Sequence, residues 1–150
     1  MKSGFAPDHR PEDIITTTMK GLKELGLGGW KKSETATYLR GVPWTIEVER
    51  RKDTNKLGFY VRCNEHDKTE WSCEATITLK VLPIKPGVTN KKFEFGPRKF
   101  NNKEYGWGTH DIMQMSWDEA MNSDTGYITN DGQMTFQAVI YADPVIRTIF

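Results

Sequence analysis

The chain has 150 residues, 21 basic and 20 acidic side chains, and a formal net charge of +1. That length supports one domain with its own core and no need of metals or disulfides to hold it. The balanced charge excludes the strong global field of a typical nucleic-acid or anionic-membrane binder, and no apolar run approaches the ~18 residues of a membrane span.

Residues 1–13 have little to bury and are expected to form a loose arm. The opening "MKSGFAPDHRPEDI" has no apolar h-region, so no secretory signal is read there. With no Asn-x-Ser/Thr sequon either, an intracellular location, cytoplasmic or nuclear, is expected. "MKGLKELGLGGW" carries too many glycines to hold more than a helical turn.

From there alternation with period two dominates. "WTIEVER" puts Trp44, Ile46 and Val48 on one face and Thr45, Glu47 and Glu49 on the other. "LGFYVRC" turns Leu57, Phe59, Val61 and Cys63 inward and leaves Gly58, Tyr60 and Arg62 outside. Tyr60 is the anomaly, an aromatic on a face that should be polar. Between these two strands Arg50, Arg51 and Lys52 read as a turn. "WSCEATITLKV" is a long half-buried strand with Trp71, Cys73, Ala75, Ile77, Leu79 and Val81 inward. Cys63 and Cys73 thus both face the core, and free buried thiols are the favoured reading over a bridge. A zinc site from Cys63, His66 and Cys73 lacks paired C-x-x-C spacing and a fourth ligand.

Later elements follow at short intervals. "KKFEFGPRKFNNK" interleaves Lys91, Lys92, Arg98, Lys99 and Lys103 with Phe93, Phe95 and Phe100, the raw material of a single-stranded nucleic-acid surface. The plainer reading is a solvated loop and strand with its phenylalanines inward. "SWDEAMN" offers Ser116 as N-cap and Glu119 three residues on, a capping box that predicts one short helix near residues 116–121. "YITNDGQMTFQAVIYA" reads as a hairpin with Asp131-Gly132 as a type I′ turn, followed by an alternating strand. Turn-rich joints at this spacing predict an all-β antiparallel sandwich or barrel. No heptad repeat is present, so a monomer or weak oligomer is expected.

The stretch "EYGWGTHDIM" carries the functional question. A catalytic reading would need Thr109, His110 and Asp111 to converge, but neighbours on a strand point to opposite faces, so no enzyme is expected. A binding reading uses an exposed sheet edge and two glycines that let another backbone approach. A structural reading makes Trp107 a core residue and the glycines part of a bulge.

The order "RGVPWTIEV", "LGFYVRC", a long strand from Trp71, "F-x-F", "WG", a helical turn, "GYI-x-NDG" and a closing strand resembles the MATH (meprin and TRAF homology) domain, in the divergent nematode form often joined to a BTB domain. The resemblance covers residues 14–143, leaving 144–150 as a C-terminal tail. It implies an eight-stranded antiparallel β-sandwich of TRAF/MATH type that binds short extended peptides in a shallow groove and uses no cofactor. It also implies partners: peptide segments of other proteins, and a BTB- or cullin-containing ubiquitin ligase reached through a partner. No membrane is expected, and nucleic acid or an acidic surface bound through the basic aromatic loop 91–103 is the alternative reading.

Carried over residue by residue, the family's groove tyrosine falls on Tyr60 and its "WG" on Trp107 and Gly108. Tyr105 stands where a polar residue is usual, and Thr109 where the adaptors have phenylalanine. Phe100 lies near a groove aromatic after a one-residue shift, and Ile77 maps to another, although alternation places it in the core. His110 borders the groove as a hydrogen-bond donor. Glu47 stands where the adaptors carry a basic residue, which favours basic or neutral peptides over acidic ones.

Overall fold

The computed structural model describes residues 7–147; residues 1–6 of the expected arm and 148–150 of the expected tail lie outside the described residues. The strands are β1 (Glu12–Met19), β2 (Trp30–Lys32), β3 (Thr37–Leu39), β4 (Val42–Arg50), β5 (Leu57–Cys63), β6 (Trp71–Leu82), β7 (Lys91–Asn101), β8 (Gly106–Thr109), β9 (Met134–Ala142) and β10 (Ile146–Arg147), with a single helix α1 (Trp117–Ala120) between β8 and β9. No described helix is long and apolar enough to cross a membrane.

All strand pairings are antiparallel, and the strands divide into two sheets. In one, β1 pairs β9, β9 and β10 flank the same side of β6, and β7 flanks the other. In the other, β2 and β3 share one flank of β4, β5 takes the other, and β8 closes the far edge. Ten strands therefore occupy eight lanes, four to a sheet, which matches the eight-stranded antiparallel sandwich expected from the sequence.

The alternation read from sequence is the core. Trp44, Ile46, Val48, Leu57, Phe59, Val61, Cys63, Ile77, Leu79 and Val81 are wholly buried, and Trp71, Cys73 and Ala75 nearly so. Each buried aliphatic or aromatic side chain contributes about 1.5–3 kcal/mol of transfer free energy. The two sheets interlock through edge-on aromatic pairs, Trp44 with Phe100 at 5.4 Å and Phe59 with Phe136 at 5.1 Å between ring centres. Such pairs add about 0.5–1.5 kcal/mol each beyond their area. The capping box at α1 is present: the Ser116 hydroxyl accepts from the Glu119 amide at 3.2 Å, and the Glu119 carboxylate accepts from the Ser116 amide at 3.4 Å.

Several expectations need correction. The turn at Asn130–Gly132 is not type I′. Thr129 exchanges bonds with Gln133 and Gly132, and only Gly132 has positive φ, at +84°. That is a three-residue loop with glycine in the left-handed position. The two-residue turn with both φ positive lies instead at Arg40 and Gly41, between β3 and β4. The segment expected to be a loose arm is tied down from Asp8 onward, because the Gly41 amide donates to the Asp8 carbonyl at 2.7 Å and the Ala142 amide to the Pro11 carbonyl at 2.8 Å. Arg50 is more than a turn residue: its guanidinium stacks over Trp117 at 5.0 Å and donates to the Leu25 carbonyl at 2.9 Å.

Ile77 and Phe100 do not line any groove. Both have no exposed surface, Ile77 at the centre of β6 and Phe100 against Trp44. Phe100→Ala is expected to lower stability by about 3–5 kcal/mol in urea denaturation, the cost of a large core cavity.

Candidate functional site

The site forms where β8 meets β5. Side chains directly opposite in a ladder share a face. Tyr60 is opposite both Gly108 and Glu47, and Arg62 is opposite Gly106, so these residues line the outer face of the sheet. Trp107 is opposite the fully buried Val61, and Thr109 opposite the buried Phe59. They therefore face the inside of the sandwich, away from Tyr60. The Trp107 indole donates to the Lys99 carbonyl of β7 at 3.0 Å, and Arg98 lies over its ring at 5.6 Å. Trp107 thus closes the gap between the two sheets at their rim.

The glycines act differently from the expectation. A Cβ on Gly108 would lie 2.0 Å from the Phe59 carbonyl oxygen and 2.7 Å from the Tyr60 Cα. The backbone that uses the missing side chain is the chain's own β5. Gly58, opposite Glu49, makes the second allowance. Its missing side chain lets the Tyr60 ring lie back along the strand, with the phenol oxygen 2.5 Å from where a Cβ would sit.

That pose builds a polar network. Arg51 donates to the Tyr60 oxygen and the Glu49 carboxylate, each at 3.2 Å, and to Asp53 at 2.9 Å. The Tyr60 hydroxyl reaches Glu49 at 3.5 Å, and His110, exposed on the outer face, meets the Tyr60 ring edge-on at 5.9 Å. Arg62 pairs with Glu47 at 2.5 Å. Together Glu47, Glu49, Arg51, Tyr60, Arg62 and Gly106 line a shallow depression of about 250 Å³. Glu47 is therefore a neutralised carboxylate rather than a bare one, since a guanidinium holds it and only 13% of its side chain is exposed. Tyr105 sits at the rim with Arg62 over its ring at 5.5 Å and Lys68 at 5.7 Å.

The edge of β8 is the second feature. The Cys63 amide donates to the Tyr105 carbonyl at 2.8 Å, which fixes the phase of the ladder. Bonded and non-bonded pairs alternate in an antiparallel ladder. Val61 with Trp107 and Phe59 with Thr109 are then bonded pairs, while Gly106 and Gly108 turn their N–H and C=O groups away from β5. β8 pairs only with β5 and is the outer lane of its sheet. The outward groups of both glycines thus lie on an open strand edge beside Tyr60 and His110.

The structure separates the expected site residues into three sets. Glu47, Tyr60, Gly108 and His110 meet on one face; Tyr105, Trp107 and Thr109 support that face from the rim or the inside; Ile77 and Phe100 belong to the core. Sequence reading passed over Arg51, Glu49 and Arg62. The available signal was the outward run Glu47, Glu49 facing Tyr60 and Arg62, which calls for charge pairing across the strands.

The rival constellations do not assemble. Thr109 faces the core side, Asp111 pairs with Lys56 at 3.0 Å, and His110 is turned to Tyr60. His66 has 87% of its side chain exposed while both thiols are buried, so they do not converge. Residues 91–101 are strand β7 rather than a loop, with Phe95 and Phe100 buried and only Phe93 exposed, so a basic aromatic surface retains one aromatic of three.

Comparison with known proteins bears on the family of the chain. The family model described as the MATH domain matches residues 23–140. The chain is also 30% identical over 135 residues to ubiquitin carboxyl-terminal hydrolase 7 of Drosophila melanogaster, a match that covers 89% of this chain and 11% of that protein. The chain spans about a tenth of that relative's length.

Two outcomes test the site geometry. Gly108→Ala is expected to cost about 1–3 kcal/mol by forcing β8 away from β5, with faster amide exchange at Val61 and Trp107. Burial, opposed by Arg51, raises the Tyr60 phenol from its ordinary 10 to about 12. The unfolded chain loses this proton first, so stability is full below pH 10 and falls as pH rises through about 12. Chemical denaturation across that range should show the fall, and Tyr60→Phe should reduce it.

Proposed function

The chain belongs to the MATH domain family of protein-interaction modules, and from that premise we propose that it binds short extended segments of other proteins by adding them as a strand to the open edge of β8. The carrying observation is that edge, with Gly106 and Gly108 turning their backbone groups outward beside the half-buried Tyr60 ring. Backbone pairing supplies affinity, and the depression bordered by Tyr60, Arg62 and Glu47 receives alternate side chains.

The charge pattern sets the preference. Glu47 and Glu49 are balanced by Arg62 and Arg51, and Asp53 adds one carboxylate at the end of the row. Neutral or basic peptide side chains suit this surface better than phosphorylated or acidic ones. Within ubiquitin biology, which the name of the Drosophila relative brings in, the domain acts as the substrate-recognition part, inside the cell. A BTB- or cullin-containing ligase partner supplies the chemistry, and this chain supplies none.

A peptide-display selection against the purified chain tests the reading. It should enrich one short motif, and Tyr60→Ala should abolish the enrichment while leaving the fold intact by circular dichroism. No enrichment with folded protein, or a loss that follows Lys91 and Lys92 rather than Tyr60, would overturn it. Glu47→Gln leaves the Arg62 guanidinium without its carboxylate, so the same selection should move toward acidic residues.

A further inference from the structure

The two cysteines come from different sheets and meet in the middle of the sandwich. β5 is the third lane of its sheet counted from β2 and β3, and β6 the third lane of the other counted from β1. Cys63 ends β5 opposite Trp44, and Cys73 lies near the start of β6 opposite Phe100. Trp44 and Phe100 are themselves in edge-on contact across the sheets at 5.4 Å. The two register pairs therefore lie at one level of the sandwich, with both thiols turned into the space between the sheets. Cys63 is fully buried and Cys73 is 1% exposed. The Cys73 thiol donates to the Asp143 carbonyl at 3.3 Å.

We infer that Cys63 and Cys73 are a redox-convertible pair that closes into a disulfide joining the two sheets when the protein meets a hydroperoxide. Buried thiols at one level of two packed sheets need little backbone movement to reach disulfide geometry. Cys73 is the first nucleophile. The neighbouring Cys63 thiol holds its pKa below the usual thiol value, whereas burial pushes Cys63 up. Cys73 also lies beside the end of its lane, where β10 flanks β6 with only two residues.

The Cys73 thiolate attacks one oxygen of hydrogen peroxide. The O–O bond breaks, the leaving hydroxide takes up the thiol proton as water, and a sulfenic acid remains. The Cys63 sulfur then attacks the sulfenic sulfur. The S–O bond breaks, and the departing hydroxide leaves as water with the Cys63 proton. Two thiols lose two electrons and one peroxide becomes two waters.

The test treats the folded chain with hydrogen peroxide and reads intact mass, a non-reducing peptide map and thermal unfolding. Expected are the loss of two hydrogens per chain, a Cys63–Cys73 cross-linked peptide, and a melting temperature raised by about 5–10 °C that dithiothreitol reverses. Cys73→Ser should remove the cross-link and the shift together. Should that variant misfold, the wild-type map still decides. Two intact thiols after treatment of the native chain, or sulfinic acid or intermolecular cross-links in place of the internal bond, would overturn the inference.

Discussion

The approach of β8 to β5 at Gly108 is the constraint on which the functional end of this sandwich depends. With the Phe59 carbonyl 2.0 Å from where a Cβ would stand, only glycine lets the fourth lane close on the third. Closing it fixes what each side of β8 does. The odd-numbered residues fall inward, where Trp107 seals the gap to β7 through its bond to Lys99. The even-numbered residues, Gly106 and Gly108, fall outward, and having no side chains they leave the Tyr60 ring uncovered. A larger residue at position 108 would displace the lane as well as crowd the backbone of Phe59 and Tyr60.

The same economy of side chains shapes the outer face. Gly58 lets Tyr60 lie along its own strand, and that pose brings the phenol to Arg51 and Glu49. The residues around it form pairs rather than isolated charges, so the surface is polar and close to neutral. This agrees with the near-balanced composition of the whole chain.

What was legible in the sequence follows from the strength of each local signal. Strict alternation over β4, β5 and β6 placed the core and put Tyr60 outside, because a strand with one buried face has only one workable register. The capping box at Ser116 and Glu119 placed the helix. β1 was harder: its buried residues Ile15 and Met19 are four apart, Ile14 is 54% exposed, and three threonines separate them, so it shows no clear period of two. Asp131-Gly132 named a turn but not its type, since the residues pairing across it were unknown. Within the site, the resemblance to a family supplied positions without faces. Trp107 and Thr109 were assigned to the groove although their neighbours in the ladder are core residues, and Ile77, which alternation had placed inside, stayed inside.

The account rests on the outward backbone groups of β8 being the part of the molecule that takes up a partner strand. The most direct measurement is amide hydrogen exchange by NMR on the chain alone and saturated with a display-selected peptide. Marked slowing at the Gly106 and Gly108 amides, with Val61 and Trp107 little changed because they are already bonded across the ladder, is the predicted result. Fast exchange at both glycines in the complex, with protection appearing at β1 or at the lysines of β7 instead, would contradict it.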